Sequence, residues 1–462
     1  MQIKFCGAAS EVTGSSHLLS CAGKNILLDC GLFQGDKETS KRKNESFLFD
    51  PKTVDYVILS HAHIDHAGRL PRLVKEGFNG RIIGTSATKQ LAEVLLLDTA
   101  HIQKQDAEFV KKEQNKIIVP FFDEIDVQAT MKLFDTCEYS QKYKVCDGVW
   151  VTLFDAGHVF GSSIVQLELE ENGKKKTFVF TGDLGRKYMP ILNDPHQIKS
   201  ADCLIIESTY ASHLHDPLPR VKEDLTAVLQ RVIARNGKII IPGFSFERTQ
   251  ELVYVLHEIY NEKKIKPIPI FVDSPLSVKI TEVFDQNRDY YDNETYRAFF
   301  DKNQNPFFFE SVEYLETAEE SKTLNHIQEP CIIISSSGMC EAGRIKHHLK
   351  NHMGDERNVI LVVGFMAQGT RGRDIVEGKK EIRLFGEYLP LRAEVVVMNA
   401  FSAHADKMEL LEYIKNISNL KNIFAVHGEE NECHILRDNI YNDLKFKGKV
   451  EVPVLGQSFE CS

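Results

Sequence analysis

The feature that most constrains this chain is the stretch of residues 61–66, in which four of the six side chains are potential metal ligands. Its sequence is His-Ala-His-Ile-Asp-His, preceded by an apolar run at residues 54–59 and followed by a helix-like stretch at residues 69–76. This pattern predicts a strand whose C-terminal end enters a ligand loop at the N-terminus of a helix. The sequence therefore predicts a metal site here rather than a histidine-rich surface loop.

The ligand side chains of this stretch fall into two pairs. His61 and His63 are two positions apart and could converge on one ion. Asp65 and His66 lie one step further round the turn and could face a second ion about 3.5–4 Å from the first. Because mixed imidazole and carboxylate ligands favour borderline cations such as Zn²⁺, we expect a zinc site.

Length and composition describe a globular protein of more than one domain. The chain has 462 residues, and 42% of them are hydrophobic. No apolar run approaches the ~20 residues of a membrane span, and the first residues begin as a strand without the apolar core of a signal peptide. Ten cysteines at irregular spacings predict reduced, mostly buried thiols. We therefore expect a cytoplasmic protein without a membrane segment.

The formal net charge of −10 removes one simple argument for nucleic-acid binding. A strongly basic protein attracts nucleic acid through its overall field, and this chain has no such field. A polyanionic substrate could still bind through a local basic patch or through metal ions. Charge alone leans mildly against nucleic acid.

The order of strand-like and helix-like segments divides the chain into two kinds of region. The first ~205 residues are rich in short strand-like runs, with helix-like stretches at residues 87–103 and 123–134. From residue 220 to residue 363, strands and helices alternate at a spacing typical of βαβ units on a largely parallel sheet. Short strands return from residue 393. This order predicts an α/β domain inserted into a metal-binding domain.

Three later strand-like runs also end in a potential ligand. They end near His158, Asp183 and His427. A lone histidine at a strand end is more often structural than a ligand, and a Gly-Asp pair is more often a turn. Together with residues 61–66, however, these three side chains supply the further ligands that two ions need. The pair His347-His348, by contrast, is predicted to lie on a helix surface and not to bind metal.

Taken in order, these segments resemble the metallo-β-lactamase superfamily. Its signature is an early aspartate after a strand, here Asp29, then His-x-His-x-Asp-His, then His158 and Asp183. Three later segments are similar to the β-CASP nucleases of that superfamily, namely Glu207-Ser208-Thr209-Tyr210, Phe401-Ser402-Ala403-His404-Ala405-Asp406 and Val426-His427-Gly428-Glu429. The resemblance spans nearly the whole chain, with its motifs in the expected order.

The resemblance implies an α/β fold. A metallo-β-lactamase αββα sandwich would be formed by residues 1–208 and completed by residues 393–462. The inserted β-CASP α/β domain, with a largely parallel sheet, would comprise residues 209–392.

The resemblance also implies a role for each residue of the site. One Zn²⁺ would be held by His61, His63, His158 and Asp183. The other would be held by Asp65, His66, His427 and the shared Asp183. The catalytic group would comprise His404, Glu207, Asp65 and Asp29. In it, Glu207 orients His404, and Asp29 hydrogen-bonds a ligand imidazole; a plain turn aspartate before Gly31 is the alternative for Asp29.

Candidate substrate contacts lie in the inserted domain. Segments that resemble family segments contribute Ser336, Ser337, Gly338, Thr370, Arg371 and Arg248. Backbone N–H groups, hydroxyls and guanidinium groups of this kind can hold phosphates. Serine- and glycine-rich loops at strand ends are equally common without such a function, so both interpretations stay open. One departure is Glu247, where the family stretch usually has Gly before the Arg.

The leading functional hypothesis is a zinc-dependent ribonuclease that acts on single-stranded RNA and leaves 5′-phosphate and 3′-hydroxyl ends. His427 favours RNA over DNA, because the DNA-repair branch of the family typically has Val at this place. The alternatives are hydrolysis of a small ester or thioester and a non-catalytic RNA-binding scaffold. The sequence does not distinguish endonuclease from 5′→3′ exonuclease action, and it leaves the formation of a homodimer open.

Overall fold

The structure, a computed structural model, describes residues 1–171, 173–215, 221–364, 366–398 and 402–461, with only the backbone of Lys37. Phe365, and Phe401 of the family-like segment at residues 401–406, lie outside these ranges. The chain divides into two units. Unit 1 comprises Met1–Lys187, Asn193–Leu214 and Ala403–Ser462, and unit 2 comprises Tyr188–Leu192 and His215–Ser402.

Unit 1 contains two seven-stranded sheets. The first has the order β22-β1-β2-β3-β4-β5-β6, with β1 Gln2–Gly7, β2 Ser16–Cys21, β3 Lys24–Leu28, β4 Tyr56–Ile58, β5 Arg81–Gly84, β6 Phe134–Thr136 and β22 Ser458–Glu460. The second has the order β21-β20-β11-β10-β9-β8-β7, with β7 Lys142–Cys146, β8 Val149–Asp155, β9 Ser163–Glu171, β10 Lys174–Phe180, β11 Cys203–Glu207, β20 Asn422–Val426 and β21 Lys449–Glu451.

Helices accompany these two sheets. They are α1 Lys37–Asn44, α2 Ile64–Ala67, α3 Leu70–Lys75, α4 Ser86–Gln114, α5 Glu124–Met131, α13 Lys407–Lys415 and α14 Glu430–Asn442, with a 3-10 turn at Pro51–Thr53. Leu410 of α13 and Leu436 of α14 pack with Leu204 and Ile206 of the second sheet. The unit is therefore the αββα sandwich that the sequence predicted.

Alternating hydrophobicity explains why the two sheets pack face to face. In β9, the side chains of Val165, Leu167 and Leu169 are buried, while Gln166 and Glu168 between them are partly exposed. Successive side chains of a strand point to opposite faces, so this pattern gives β9 one apolar face. That face joins residues of the first sheet, such as Phe5 and Leu19, in one buried cluster.

Unit 2 is built on a parallel sheet, as the strand-helix alternation predicted. Its six strands have the order β14-β13-β15-β12-β16-β19, with β12 Lys238–Pro242, β13 Ile270–Asp273, β14 Val312–Tyr314, β15 Cys331–Ser335, β16 Val359–Val362 and β19 Glu394–Val397. All five strand pairings are parallel. The four central strands are buried along their whole length, which is typical of parallel sheets covered on both faces.

In the part of unit 2 that the structure describes, a hairpin and seven helices accompany this sheet. The hairpin consists of β17 Glu381–Leu384 and β18 Glu387–Pro390. The helices are α6 Val221–Arg235, α7 Arg248–Asn261, α8 Pro275–Gln286, α9 Asn293–Ala298, α10 Ala318–Thr323, α11 Ile345–His352 and α12 Arg371–Val376, with 3-10 turns at Arg288–Tyr290, Phe300–Lys302 and Leu324–His326.

The strand that follows residue 393 differs from the sequence-based boundaries. The sequence assigned it to the part that completes the sandwich, whereas β19 pairs in parallel with β16 in the sheet of unit 2. The returning part of unit 1 begins at Ala403. A run of β-branched residues predicts a strand but does not identify the strand with which it pairs. The sequence of β19, a partly exposed strand at the edge of its sheet, therefore does not show to which unit it belongs.

Two further expectations concern the membrane and the thiols. None of the helices in the described ranges combines the length and the apolar character that crossing a bilayer requires. All ten cysteines are unpaired, and every one except Cys146 is buried. Burial of the thiols is as the sequence predicted.

The packing of the sandwich gives a stability prediction. Phe178 is completely buried between the sheets, so Phe178→Ala is expected to lower the free energy of unfolding of unit 1 by about 3–5 kcal/mol. Phe109→Ala is the matched control, because its ring is 61% exposed and its loss should change stability by less than about 0.5 kcal/mol. The single tryptophan, Trp150, lies in β8, so its fluorescence during urea unfolding reports unit 1. Equal effects of the two substitutions would contradict this packing.

Candidate metal centre

Strand ends of unit 1 carry the candidate ligands. His61 and His63 follow β4, and the short helix α2 carries Asp65 and His66. The other three, His158, Asp183 and His427, follow β8, β10 and β20. The structure brings all seven predicted metal ligands together in two groups that could hold an ion.

The first group contains three imidazoles and one carboxylate. The ligand atoms of His61, His63, His158 and Asp183 all lie within 4.8 Å of one another. His61 Nε2 lies 3.0 Å from His63 Nδ1 and 3.6 Å from Asp183 Oδ2, and His158 Nε2 lies 3.4 Å from the same oxygen. Ligands about 2.0–2.1 Å from a tetrahedral zinc ion are about 3.3 Å apart. The donor set and its spacing therefore fit one zinc ion.

Burial keeps the imidazoles of this group neutral. Burial lowers the pKa of His61 and of His158 well below the ordinary value, and it lowers the pKa of His63 to about 4. A neutral imidazole has a free lone pair, which is the form that binds a metal ion. The three side chains are thus in the ligand form at neutral pH.

The second group contains Asp65, His66 and His427. His66 Nε2 lies 3.0 Å from His427 Nε2, and His427 Nε2 lies 3.5 Å from Asp65 Oδ2. The other carboxylate oxygen of Asp183, Oδ1, lies 3.3 Å from His66 Nε2. Asp183 therefore presents one oxygen to each group, which is the geometry of a bridging ligand.

Asp29 makes the contact that the resemblance implied. Its side chain is fully buried, and its Oδ2 accepts a hydrogen bond from His66 Nδ1 over 2.7 Å. The same carboxylate accepts from the Ser60 N–H over 2.8 Å and from the Ser15 hydroxyl over 3.1 Å. Because Nδ1 of His66 is engaged, its Nε2 points into the second group. These contacts favour the positioning role of Asp29 over that of a plain turn residue.

Electrostatics also distinguish His66 from the other imidazoles. Burial disfavours its charged form, but Asp183 and Asp29 outweigh burial and raise the pKa of His66 well above its ordinary value. Burial raises the pKa of Asp183, whereas the imidazoles of His427 and His66 lower it more strongly, to well below its usual range. A proton on His66 thus supplies positive charge beside Asp183 and Asp29.

Glu207 and His404 form the predicted pair. His404 Nδ1 lies 3.0 Å from Glu207 Oε1, and that oxygen also accepts a hydrogen bond from the Leu184 N–H over 2.8 Å. His404 Nδ1 lies 3.9 Å from Asp183 Oδ2, which places the pair beside the ligand groups. Burial lowers the pKa of His404, but the charge and hydrogen bond of Glu207 outweigh burial and raise it to about 9.

Two further residues, Ser60 and Thr209, contact candidate ligands, and the sequence analysis assigned a role to neither of them. The Ser60 hydroxyl donates to Asp29 Oδ2 over 2.9 Å and lies 3.0 Å from His61 Nδ1. Since its one proton goes to Asp29, it accepts from His61 Nδ1–H and leaves His61 Nε2 free as a ligand. The Thr209 hydroxyl donates to the carbonyl of His427 over 3.0 Å. Ser60 directly precedes His61, but no spacing rule identifies such a residue.

The candidate substrate residues lie in unit 2, where most have partners within that unit. The Ser336 hydroxyl donates to Ser274 Oγ over 3.1 Å, and the Ser337 hydroxyl donates to the Ala342 carbonyl over 3.3 Å. Gly338 packs so closely on Phe244 that an added Cβ would lie 2.6 Å from the ring. All three follow the C-terminal end of β15.

Structural roles account for the remaining three candidates. Thr370 accepts a hydrogen bond from the Arg373 N–H over 3.2 Å and caps α12. Arg371 forms an ion pair with Glu341 over 2.6 Å, and Arg248 forms one with buried Glu251. The positive charge of Arg371 is therefore offset by a carboxylate.

Glu247 has a backbone conformation that is uncommon for a residue with a Cβ. It precedes α7 with a φ of 68° and is buried. Glycine adopts positive φ without the steric cost that a Cβ brings, which is a physical reason for glycine at this position in the family stretch.

Three family profiles match successive parts of the chain. They are described as a metallo-beta-lactamase superfamily domain (residues 18–182), a Beta-Casp domain (residues 249–375) and a Zn-dependent metallo-hydrolase RNA specificity domain (residues 388–453). A ribonuclease from Thermus thermophilus is 36% identical over 93% of this chain and 94% of its own length. The chain belongs to the β-CASP family of the metallo-β-lactamase superfamily. The predicted family and fold class are thus confirmed.

Two further similarities agree with this family. A transcription termination factor from Methanocaldococcus jannaschii is 30% identical to this β-CASP protein over 98% of this chain and 70% of that protein. A crystal structure of a protein of unknown function from Enterococcus faecalis V583 has a TM-score of 0.56, at 14% identity and 99% coverage of both chains. At this low identity, the crystal structure shows a similar fold and nothing about function.

Gly31 provides a test of how the ligand loop is held. A Cβ at this position would lie 1.6 Å from the Asp65 carbonyl oxygen, so Gly31→Ala must displace the backbone of a ligand. We expect zinc affinity to fall by about 10–100-fold, the usual scale when the support of a metal ligand is lost. Competition with a chromophoric zinc chelator measures this affinity. Gly354→Ala is the control, since the nearest atom to its added Cβ is 3.9 Å away. Equal zinc affinity of the two variants would contradict the account.

Proposed function

We propose that this β-CASP protein is a zinc-dependent ribonuclease that hydrolyses phosphodiester bonds of single-stranded RNA and leaves 5′-phosphate and 3′-hydroxyl ends. The observation that carries the proposal is that Asp183 lies between two ligand groups, with the Glu207–His404 pair beside it. The ribonuclease from Thermus thermophilus and the RNA specificity profile support RNA as the substrate. Buried, unpaired thiols are consistent with action in a reducing cytoplasm.

The ligand groups fit two zinc ions. His61, His63, His158 and Asp183 would hold one ion, and Asp65, His66, His427 and the shared Asp183 would hold the other. Two such ions, when bound, supply a water of lowered pKa and stabilise the charge that develops on the phosphate. The contribution of Asp29 and Ser60 is to fix the ring orientation of His66 and His61.

His404 is the proposed general acid. Hydrolysis releases a ribose O3′, which needs a proton as the P–O bond breaks. Glu207 holds Nδ1 of His404, so the proton on Nε2 is the one available for transfer. Because the carboxylate outweighs burial and raises the pKa of His404 to about 9, the imidazolium form is populated near neutral pH.

The filled ligand set argues against the scaffold alternative. Every position that the family resemblance assigns to a ligand carries a side chain able to bind metal, and the geometry brings these side chains together. Hydrolysis of a small ester or thioester is distinguished from ribonuclease activity by testing the protein on RNA and on esters.

The products of cleavage test the proposed reaction. Zinc-loaded protein is expected to cleave a labelled single-stranded RNA to 5′-phosphate and 3′-hydroxyl ends, and a chelator should abolish cleavage. Since water is the nucleophile, 2′-O-methyl substitution at the cleaved nucleotide should slow the reaction only through binding. Gel electrophoresis with end-group analysis distinguishes the products. A 2′,3′-cyclic phosphate product would contradict the mechanism, and hydrolysis of esters without cleavage of RNA would favour the small-molecule alternative.

The acid role of His404 has a separate signature. His404→Ala is expected to lower kcat by about 10²–10⁴-fold on ordinary RNA. The loss should be small on RNA with a 3′-S-phosphorothiolate linkage, because a thiolate leaves without a proton. Glu207→Gln removes the charge that raises the pKa of His404, so the alkaline limb of the kcat profile should move to lower pH.

Controls separate this role from a general loss of structure. His434→Ala removes a partly exposed histidine of the same unit and should leave kcat unchanged. An equal loss on both RNA linkages in His404→Ala would show that His404 is not the proton donor.

A further inference from the structure

An exposed aromatic ring occupies an unexpected place in unit 2. Phe385 and Gly386 form the two-residue turn between β17 and β18, with φ values of 51° and 87°. A turn with two positive φ values favours Asn and Gly, because a Cβ is strained in this region. Phe385 nevertheless remains 44% exposed. Neither turn geometry nor burial in a core explains a phenylalanine here.

Two lysines and a histidine from helix α11 flank this ring. Lys346 Nζ lies 4.7 Å and Lys350 Nζ 5.8 Å from the ring centroid, and the His347 ring lies 4.7 Å away. Lys346 and Lys350 are four residues apart, so they project from the same face of the helix.

Of the two histidines that were predicted to lie on a helix surface, His347 is exposed as expected, whereas His348 is buried and hydrogen-bonded to Asp273.

The hairpin presents a second aromatic ring beside a cation. Tyr388 is 66% exposed, and it pairs across the hairpin with exposed Arg383. Lys350 is paired with Glu387 over 3.1 Å. Within the described ranges, neither Lys346 nor Arg383 forms an ion pair. Their charge is therefore available to an anionic partner, even though the whole chain carries a net charge of −10.

We propose that this surface, which we call the hairpin surface, is a second binding site for single-stranded RNA. It consists of Lys346, His347 and Lys350 on the side of the hairpin that faces α11, of Phe385 at the turn, and of Arg383 and Tyr388 on the opposite face of the hairpin. A strand that passes around the turn contacts both sides. Bases stack on the two exposed rings, and phosphates lie against the cations. The choice of RNA rests on the proposed function, whereas the chemistry of the surface is that of a single-stranded nucleic-acid site in general.

Aromatic rings interleaved with cations are what a flexible nucleic-acid strand requires. Every base has a flat face that can stack on a ring, so such a site needs no particular sequence. The lysine and arginine side chains neutralise phosphates and displace their counterions, which makes binding dependent on salt. An acidic peptide would use the cations but would gain little from the exposed rings.

Binding is measured on the full chain without cleavage. Fluorescence anisotropy of a labelled oligouridylate, in the presence of chelator, isolates binding from the reaction at the metal centre. Phe385→Asn keeps a residue suited to the turn and removes the ring, so we expect Kd to rise about tenfold while Tm is at least that of the wild type. Phe385→Trp should retain binding. Lys346→Ala should lower the slope of log K against log salt by about 0.7.

Matched variants define what the surface contributes. Phe109→Ala removes an exposed ring of unit 1, and Lys322→Ala removes an exposed lysine elsewhere in unit 2; both should bind like the wild type. The proposal is overturned if folded Phe385→Asn and Tyr388→Ala proteins bind RNA with unchanged Kd. It is also overturned if polyglutamate displaces the RNA equally well, because the site would then be one for acidic peptides.

The outcome is independent of the proposed reaction. Cleavage of RNA by the zinc-loaded wild type together with unchanged binding by the variants would refute the hairpin surface and leave the ribonuclease standing. Loss of binding in the variants, without any cleavage by the wild type, would support the surface and refute the reaction.

Discussion

The sharing of one carboxylate, Asp183, between two groups of candidate ligands is the constraint on which the site depends. Its Oδ2 faces His61 and His158, and its Oδ1 faces His66. A buried carboxylate is stable only with compensating positive charge, which protons on neighbouring imidazoles or bound cations supply. Because Asp183 follows a strand of the second sheet and His61 follows a strand of the first, this compensation requires both sheets to be packed correctly.

Backbone hydrogen bonds hold the ligand loop against the loop that carries Asp29. The Cys30 N–H donates to the His66 carbonyl over 2.7 Å, and the Leu32 N–H donates to the Ile64 carbonyl over 2.9 Å. Gly31 allows the close approach between them. Main-chain contacts thus hold the positions of Asp65 and His66, which is the preorganisation that a metal centre needs.

The sequence predicted what strand ends and residue spacing determine. Residues 61–66 lie at a strand end as expected, and the parallel sheet of unit 2 follows from its alternating segments. The roles of Ser60 and the partner of β19 depend on contacts between distant segments, which local patterns do not encode. Helix α4 continues to Gln114, beyond the predicted residue 103, because its later residues form helix without an apolar face.

Anomalous diffraction at the zinc edge, from crystals grown with zinc, tests the central claim most directly. The account predicts two anomalous peaks about 3.5–4 Å apart, one on each side of the Asp183 carboxylate. It also predicts that Asp183→Ala crystals lose the paired peaks. A single peak in the wild type, or peaks remote from Asp183, would contradict the shared-carboxylate centre.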